Sequence, residues 1–154
     1  MAAGAESLSA LRYDAGMLPM SRAFDDKPLA VRPEEHGILL WRVNGILHTN
    51  VPHLVVHHSP SGFEIGYTGS GPADLALNIL EWQLRRDGYH GQTITCFEGN
   101  CFRLAWNLHQ EFKRDFLATC DRKTVEISLD ALTNWLATHR MEAELPRHWP
   151  TPKP

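Results

Sequence analysis

The sequence predicts an α+β domain, a small antiparallel sheet of three to five strands packed by about three helices. Three observations predict it. Short β-prone runs separated by turn signals fill residues 38–67. A glycine-rich turn at 66–72 then changes the apolar period from that of strands to that of helices. Beyond it, three helical stripes carry most of the remaining apolar residues. Strands that precede helices, instead of alternating with them, favour a sheet covered by helices over a doubly wound sheet.

The elements follow in chain order. Residues 1–36 are weakly patterned and include Pro19, Pro28 and Pro33, so they read as an irregular arm, with a short helix near 6–13 as the alternative. Runs at 38–43 and 46–48 flank Asn44-Gly45, the pair that a type I′ hairpin turn prefers because both central residues need positive φ. Residues 53–57 (HLVVH) and 63–67 (FEIGY) read as two further strands.

The first helix is expected at 72–87. Pro72 suits its first position, Asp74 its first turn, and Arg85 and Arg86 its last turn, with Gly88 as the residue just beyond. Leu75, Ile79 and Trp82, with Ala76, Leu80 and Leu84, form its apolar face. A strand at 93–97 and a helix at 101–119 follow, the latter with Leu104, Leu108, Phe112 and Phe116 on one side. A strand at 125–127 and a helix capped by Ser128 over 129–140 complete the domain, placed at 37–141. Residues 142–154 hold four prolines in the last nine positions and read as an extended tail.

Composition narrows the function classes. A hydrophobic fraction of 43% over 154 residues supports one core without covalent staples. Cys96, Cys101 and Cys120 have no framework spacing and fit reduced thiols. A net charge of −3 argues against a strongly basic nucleic-acid footprint and against a polybasic membrane binder. With neither an apolar leader nor a membrane-length apolar run, the expected location is the bacterial cytosol.

Several residues are candidates for chemistry. Gly69, Ser70 and Gly71 stand at a helix start, where backbone N–H groups attract anions. The same glycines also suit a plain tight connection, and the turn lacks the Lys-Ser/Thr of a P-loop. His58 and Glu64 are expected beside this turn. His48, His53, His57, His58, His90 and His109, with Cys96 and Cys101, invite a zinc reading, but no ligand spacing is specific, so no metal and no cofactor are expected. Arg85 and Arg86, like Lys113 with Arg114 and Arg122 with Lys123, could hold phosphates or form solvated helix faces. Trp106 lies off the main stripe of its helix, and Trp149 stands in the tail. Tryptophans so placed are common anchors of protein interfaces.

One stretch carries a resemblance. His58-Ser59-Pro60-Ser61-Gly62-Phe63-Glu64, then Gly66-Tyr67, Gly69-Ser70-Gly71-Pro72-Ala73 and Leu75-Ala76-Leu77, resemble short phage, plasmid and other mobile-element proteins that carry a domain of unknown function. Their hallmark is H-S-P-S/T-G-F-E-W-G-Y-G-G-S-G-P-A-x-L-A-L. His109-Gln110-Glu111-Phe112-Lys113 resembles the family's Y-Q-x-F-K helix, and 125–136 its closing strand and helix. The likeness covers 43–139 and departs at Ile65, where the family usually has Trp, and at Thr68, where it usually has Gly.

The resemblance implies a mobile-element origin. By analogy of gene context, it also implies an accessory protein that binds a host or phage protein, with inhibition of a defence system of the anti-CRISPR or anti-restriction type as the expected mode. Two alternatives stand beside it. One is a nucleic-acid-associated protein that uses the basic pairs. The other is an enzyme acting on a nucleotide or phosphorylated ligand at 69–71, with His57, His58 or Glu64 in acid–base roles.

Overall fold

The computed structural model describes residues 31–120 and 124–144. One helical turn, α1 (Pro33–His36), leads into the hairpin of β1 (Ile38–Val43) and β2 (Ile46–Thr49). Asn44 and Gly45 have φ of 50° and 81°, as a type I′ turn demands, and Val43 faces Ile46 across this two-residue loop. β1 also pairs antiparallel with β5 (Thr124–Ile127), so the sheet runs β2-β1-β5. As the middle strand, β1 buries four consecutive residues, Ile38, Leu39, Leu40 and Trp41.

Helix α2 (Ser70–Arg86) passes through the middle of the molecule and is buried on every side from Gly71 to Leu84. Its end is a Schellman motif. Gly88 at φ 69° turns the chain, its N–H reaches the Arg85 carbonyl, and the Tyr89 N–H reaches that of Leu84. A separate ribbon pairs β3 (Thr93–Thr95) with β4 (Asn100–Phe102). Helix α3 (Arg103–Phe112) continues into a π-helical turn, Lys113–Leu117, and α4 (Leu129–Glu144) closes the described chain. Ser128 caps α4, its hydroxyl accepting the Ala131 N–H at 3.1 Å. The core joins Ile38 and Leu40 of β1 to Leu75, Ile79 and Leu80 of α2, Leu104, Leu108 and Phe112 of α3, and Leu132 and Leu136 of α4. Trp135 adds an edge-on contact to the Phe112 ring at 5.0 Å.

The α+β class and the antiparallel pairing are as the sequence predicts, with differences in detail. Residues 53–57 and 63–67 are not strands. Apart from a single bridge between Val56 and Glu98, the first segment gives its amides to side chains of α2 instead of to a neighbouring strand. The helix expected from 101 begins at Arg103, because 100–102 pairs with β3, and its last turn widens to π geometry. Residues 33–36 of the expected arm form α1. Helix α4 runs to Glu144, past the expected end at 140 and into the first three residues of the expected tail. Residues 1–30 of the arm, with the alternative helix at 6–13, and the tail from 145 onward lie outside the described residues.

Candidate functional site

The loop between β2 and α2, residues 50–69, carries most of the sequence-predicted site, and a polar stripe on α2 holds it. Asp74, Asn78, Glu81 and Arg85 recur at helical spacing and so share one face. Asp74 is fully buried, and its carboxylate accepts the N–H groups of His57, His58 and Ser59 at 3.2, 2.8 and 2.8 Å. One turn on, Asn78 accepts the Leu54 and Val55 N–H groups at 2.7 and 3.0 Å and donates to the carbonyls of Val55 and Asp74. That uses every donor and acceptor site of its amide. Glu81 takes the Phe102 N–H at 2.8 Å and the Arg85 Nε at 2.9 Å. Each of these buried N–H groups would cost about 1–3 kcal/mol if left without a partner. The stripe therefore substitutes for strand pairing and fixes the backbone that displays His57 and His58.

Those two histidines meet α3. His58 Nε2 lies 3.0 Å from His109 Nε2, and Gln110 Nε2 lies 2.9 Å from the same atom. His109 Nδ1 faces the Trp106 carbonyl, an acceptor only, so Nδ1 carries the proton and Nε2 accepts from His58 and Gln110. Trp106 closes the cluster. Its ring stacks on His58 at 5.5 Å and meets His57 edge-on at 4.4 Å. Burial is the main cause holding the His109 imidazole down to about pKa 4, and the neighbouring His58 and Lys113 push the same way. The Trp106 carbonyl and Asp74 pull against them. Burial likewise lowers His58. Both rings are thus neutral near pH 7, with the His58 Nε2–H donating to His109 Nε2.

The glycine turn is a packing device. Gly66, at φ 91°, donates its N–H to the Leu117 carbonyl at the end of the π turn, at 2.9 Å, and a Cβ there would sit 2.9 Å from the Cys120 carbonyl oxygen. The Lys113 ammonium donates to the Thr68 carbonyl at 2.8 Å. The Tyr67 ring lies across the bare backbone of Gly69. A Cβ on Gly71 would meet Glu64 Cβ at 2.7 Å and the Tyr67 hydroxyl at 3.0 Å, so both side chains bed on these glycines. Tyr67 stays 48% exposed in this fixed pose. Beside it, Glu64 forms a two-pronged ion pair with Arg42, which also donates to the Gly45 carbonyl next to the exposed Ile46. The Arg42 guanidinium holds the Glu64 carboxyl below its usual range.

The predicted residues thus divide into groups. His58 and Trp106 come together, and so do Glu64, Gly69 and Gly71. Ser70 opens α2 as an exposed residue. Arg85 and Arg86 stand apart from both groups, the first bound to Glu81, the second lying over the Trp82 ring at 5.7 Å. Lys113 is buried, and Arg122, Lys123 and Trp149 lie outside the described residues. The described residues gather no group of three or more His, Cys, Asp or Glu side chains placed to hold a metal ion, and no described helix is long and apolar enough to cross a membrane. Sequence reading missed Asp74 and Asn78 as loop anchors, Tyr67 as the displayed side chain, and His109 as the partner of His58. The polar recurrence at 74, 78, 81 and 85 was the available signal for the first two.

Residues 33–95 match the model of a family described as "Family of unknown function (DUF6166)". The match takes in the β1–β2 hairpin, the anchored loop, the glycine turn and α2. No curated protein and no solved structure matches the chain.

Proposed function

We propose that this chain is a protein-binding accessory protein of a bacterial phage or plasmid, which engages a host protein stoichiometrically through the surface around Tyr67, with a defence nuclease as the target class. The observation that carries the reading is the presentation of Tyr67. An aromatic ring is held half-exposed on two glycines, beside Glu64 of the ion pair with Arg42. Tyr and Arg are enriched among the residues that dominate binding energy, and a pre-set ring loses little freedom on docking. The groups that would serve catalysis or phosphate binding are already engaged inside the molecule: the Nε2 atoms of His58 and His109, the Asp74 carboxylate, Lys113 and Arg85.

The test has two stages. The tagged chain is used as bait in nuclease-treated bacterial lysate, and the captured protein is purified and titrated against wild type and Tyr67→Ala. Loss of an aromatic anchor should weaken binding at least about tenfold, equivalent to about 1.4 kcal/mol. Gly69→Ala, which displaces the ring without removing it, should weaken the same complex, while Arg86→Ala should not. Absence of any nuclease-resistant partner, or full affinity in Tyr67→Ala, overturns the reading. Salt-sensitive affinity for DNA or RNA would move it to nucleic-acid association.

A further inference from the structure

Cys96 and Cys101 take no part in the surface just described, yet their thiols face each other in the interior. Their Sγ atoms lie 3.1 Å apart. They flank the tight turn of the β3–β4 ribbon, where Ile94 faces Cys101 and the Cys96 N–H closes the turn on the Gly99 carbonyl at 2.9 Å. Both are buried. Cys101 is fully enclosed, and Cys96 is slightly open at 7%. Cys120 points elsewhere, its thiol donating to the Phe116 carbonyl. The turn between the two thiols also touches the anchored loop. Val56 and Glu98 exchange both backbone hydrogen bonds, at 3.0 and 2.9 Å, and Glu98 and Gly99 form one wall of a shallow groove of about 420 Å³ whose other wall is residues 53–56.

We propose that Cys96 and Cys101 form a reversible dithiol modification site, oxidised to an intramolecular disulfide by hydroperoxides, which staples the β3–β4 turn and with it the groove wall. The more open Cys96 reacts first. Its thiolate attacks the peroxide O–O bond, giving Cys96 sulfenic acid and releasing the alcohol, or water from hydrogen peroxide. The Cys101 sulfur then attacks the Cys96 sulfur, the new S–S bond forms, and the sulfenic oxygen leaves as water with the thiol proton. Two thiols lose two electrons and two protons, and the peroxide takes up both. A dithiol reductant reverses the step by exchange. Burial of both sulfurs slows attack by larger oxidants, so a small hydroperoxide is the matching class.

The experiment treats the folded full chain with hydrogen peroxide and reads thiol titration, intact mass and peptide mapping. The expected result is a fall from three reactive thiols to one, counted after denaturation, with a Cys96-to-Cys101 cross-linked peptide and full reversal by dithiothreitol. The melting temperature should rise by roughly 3–6 °C, and amide exchange at Val56 and Glu98 should slow. Cys96→Ser should keep two thiols under the same treatment, and its circular dichroism should match wild type. Three outcomes overturn the proposal: cross-linking to Cys120, sulfinic or sulfonic acid at Cys96 without a cross-link, or retention of all three thiols at peroxide levels that oxidise free cysteine. A disulfide that leaves exchange at Val56 and Glu98 unchanged overturns the coupling to the groove wall.

Discussion

Acidification should unfold this domain earlier than its carboxylates require, and His109 is the reason. The ring is 2% exposed and held neutral, with its pKa near 4 against an ordinary value of 6.5. A histidine with a depressed folded pKa binds protons more readily in the unfolded chain, so stability is present above pH 6.5 and falls as pH drops toward 4. Working the linkage between pH 7 and 5 gives a loss of about 2 kcal/mol from this one group, and about 3 kcal/mol once pH 4 is reached. Glu64, depressed by Arg42, starts to add only below about pH 4.5, so the pH 7–5 window isolates the histidines. His58, which faces His109, adds a smaller loss in the same direction. Urea unfolding followed by tryptophan fluorescence at pH 7, 6 and 5 reads the slope. His109→Gln, whose amide can still accept from His58, should fold at pH 7 and flatten the slope by most of that amount. Equal slopes in the variant and wild type would refute the claim that His109 is buried neutral.

Two further outcomes follow from the loop's anchoring. Asp74→Ala leaves the N–H groups of His57, His58 and Ser59 without acceptors, and should cost at least about 3 kcal/mol and release amide protection across 57–59 by hydrogen exchange. Gly66→Ala combines a left-handed φ with a contact on the Cys120 carbonyl, and should cost about 1–3 kcal/mol in thermal unfolding, whereas Gly45→Ala, with open space around it, meets only the backbone strain.

The parts of the fold that sequence reading reached are those set by local chemistry. Asn44-Gly45 fixes its hairpin, Gly88 its helix end and Ser128 its cap, because each satisfies backbone groups a few residues away. Residues 53–57 and 63–67 were misread for the opposite reason. FEIGY alternates as a strand does and HLVVH is β-prone, but Asp74 and Asn78, a turn apart on α2, take the amides of 54, 55 and 57–59, and the Gly66 N–H goes to the Leu117 carbonyl. Alternation reports which side chains face inward and says nothing of where the N–H groups go. The site divides the same way. His58 and Trp106 were legible as residue types in distinctive positions, but the contact with His109 spans 51 residues and has no local signature. The glycines at 69 and 71 were legible as a turn. Their purpose, seating Tyr67, depends on a ring folding back on its own chain.

The bounds of the family match acquire a practical meaning from the strand order. A fragment cut at 33 and 95 would keep β1, β2 and α2 but lose β5 from one edge of β1, β4 from β3, the Leu117 carbonyl that receives Gly66, and the Phe102 amide that occupies Glu81. Its longest helix, buried almost end to end in the whole chain, would be stripped of α3 and exposed to water along that side. The matched segment is therefore a half-shell of this fold and not a portable module: taken alone, it leaves uncovered the side of α2 that α3 packs and the edge of β1 that β5 pairs.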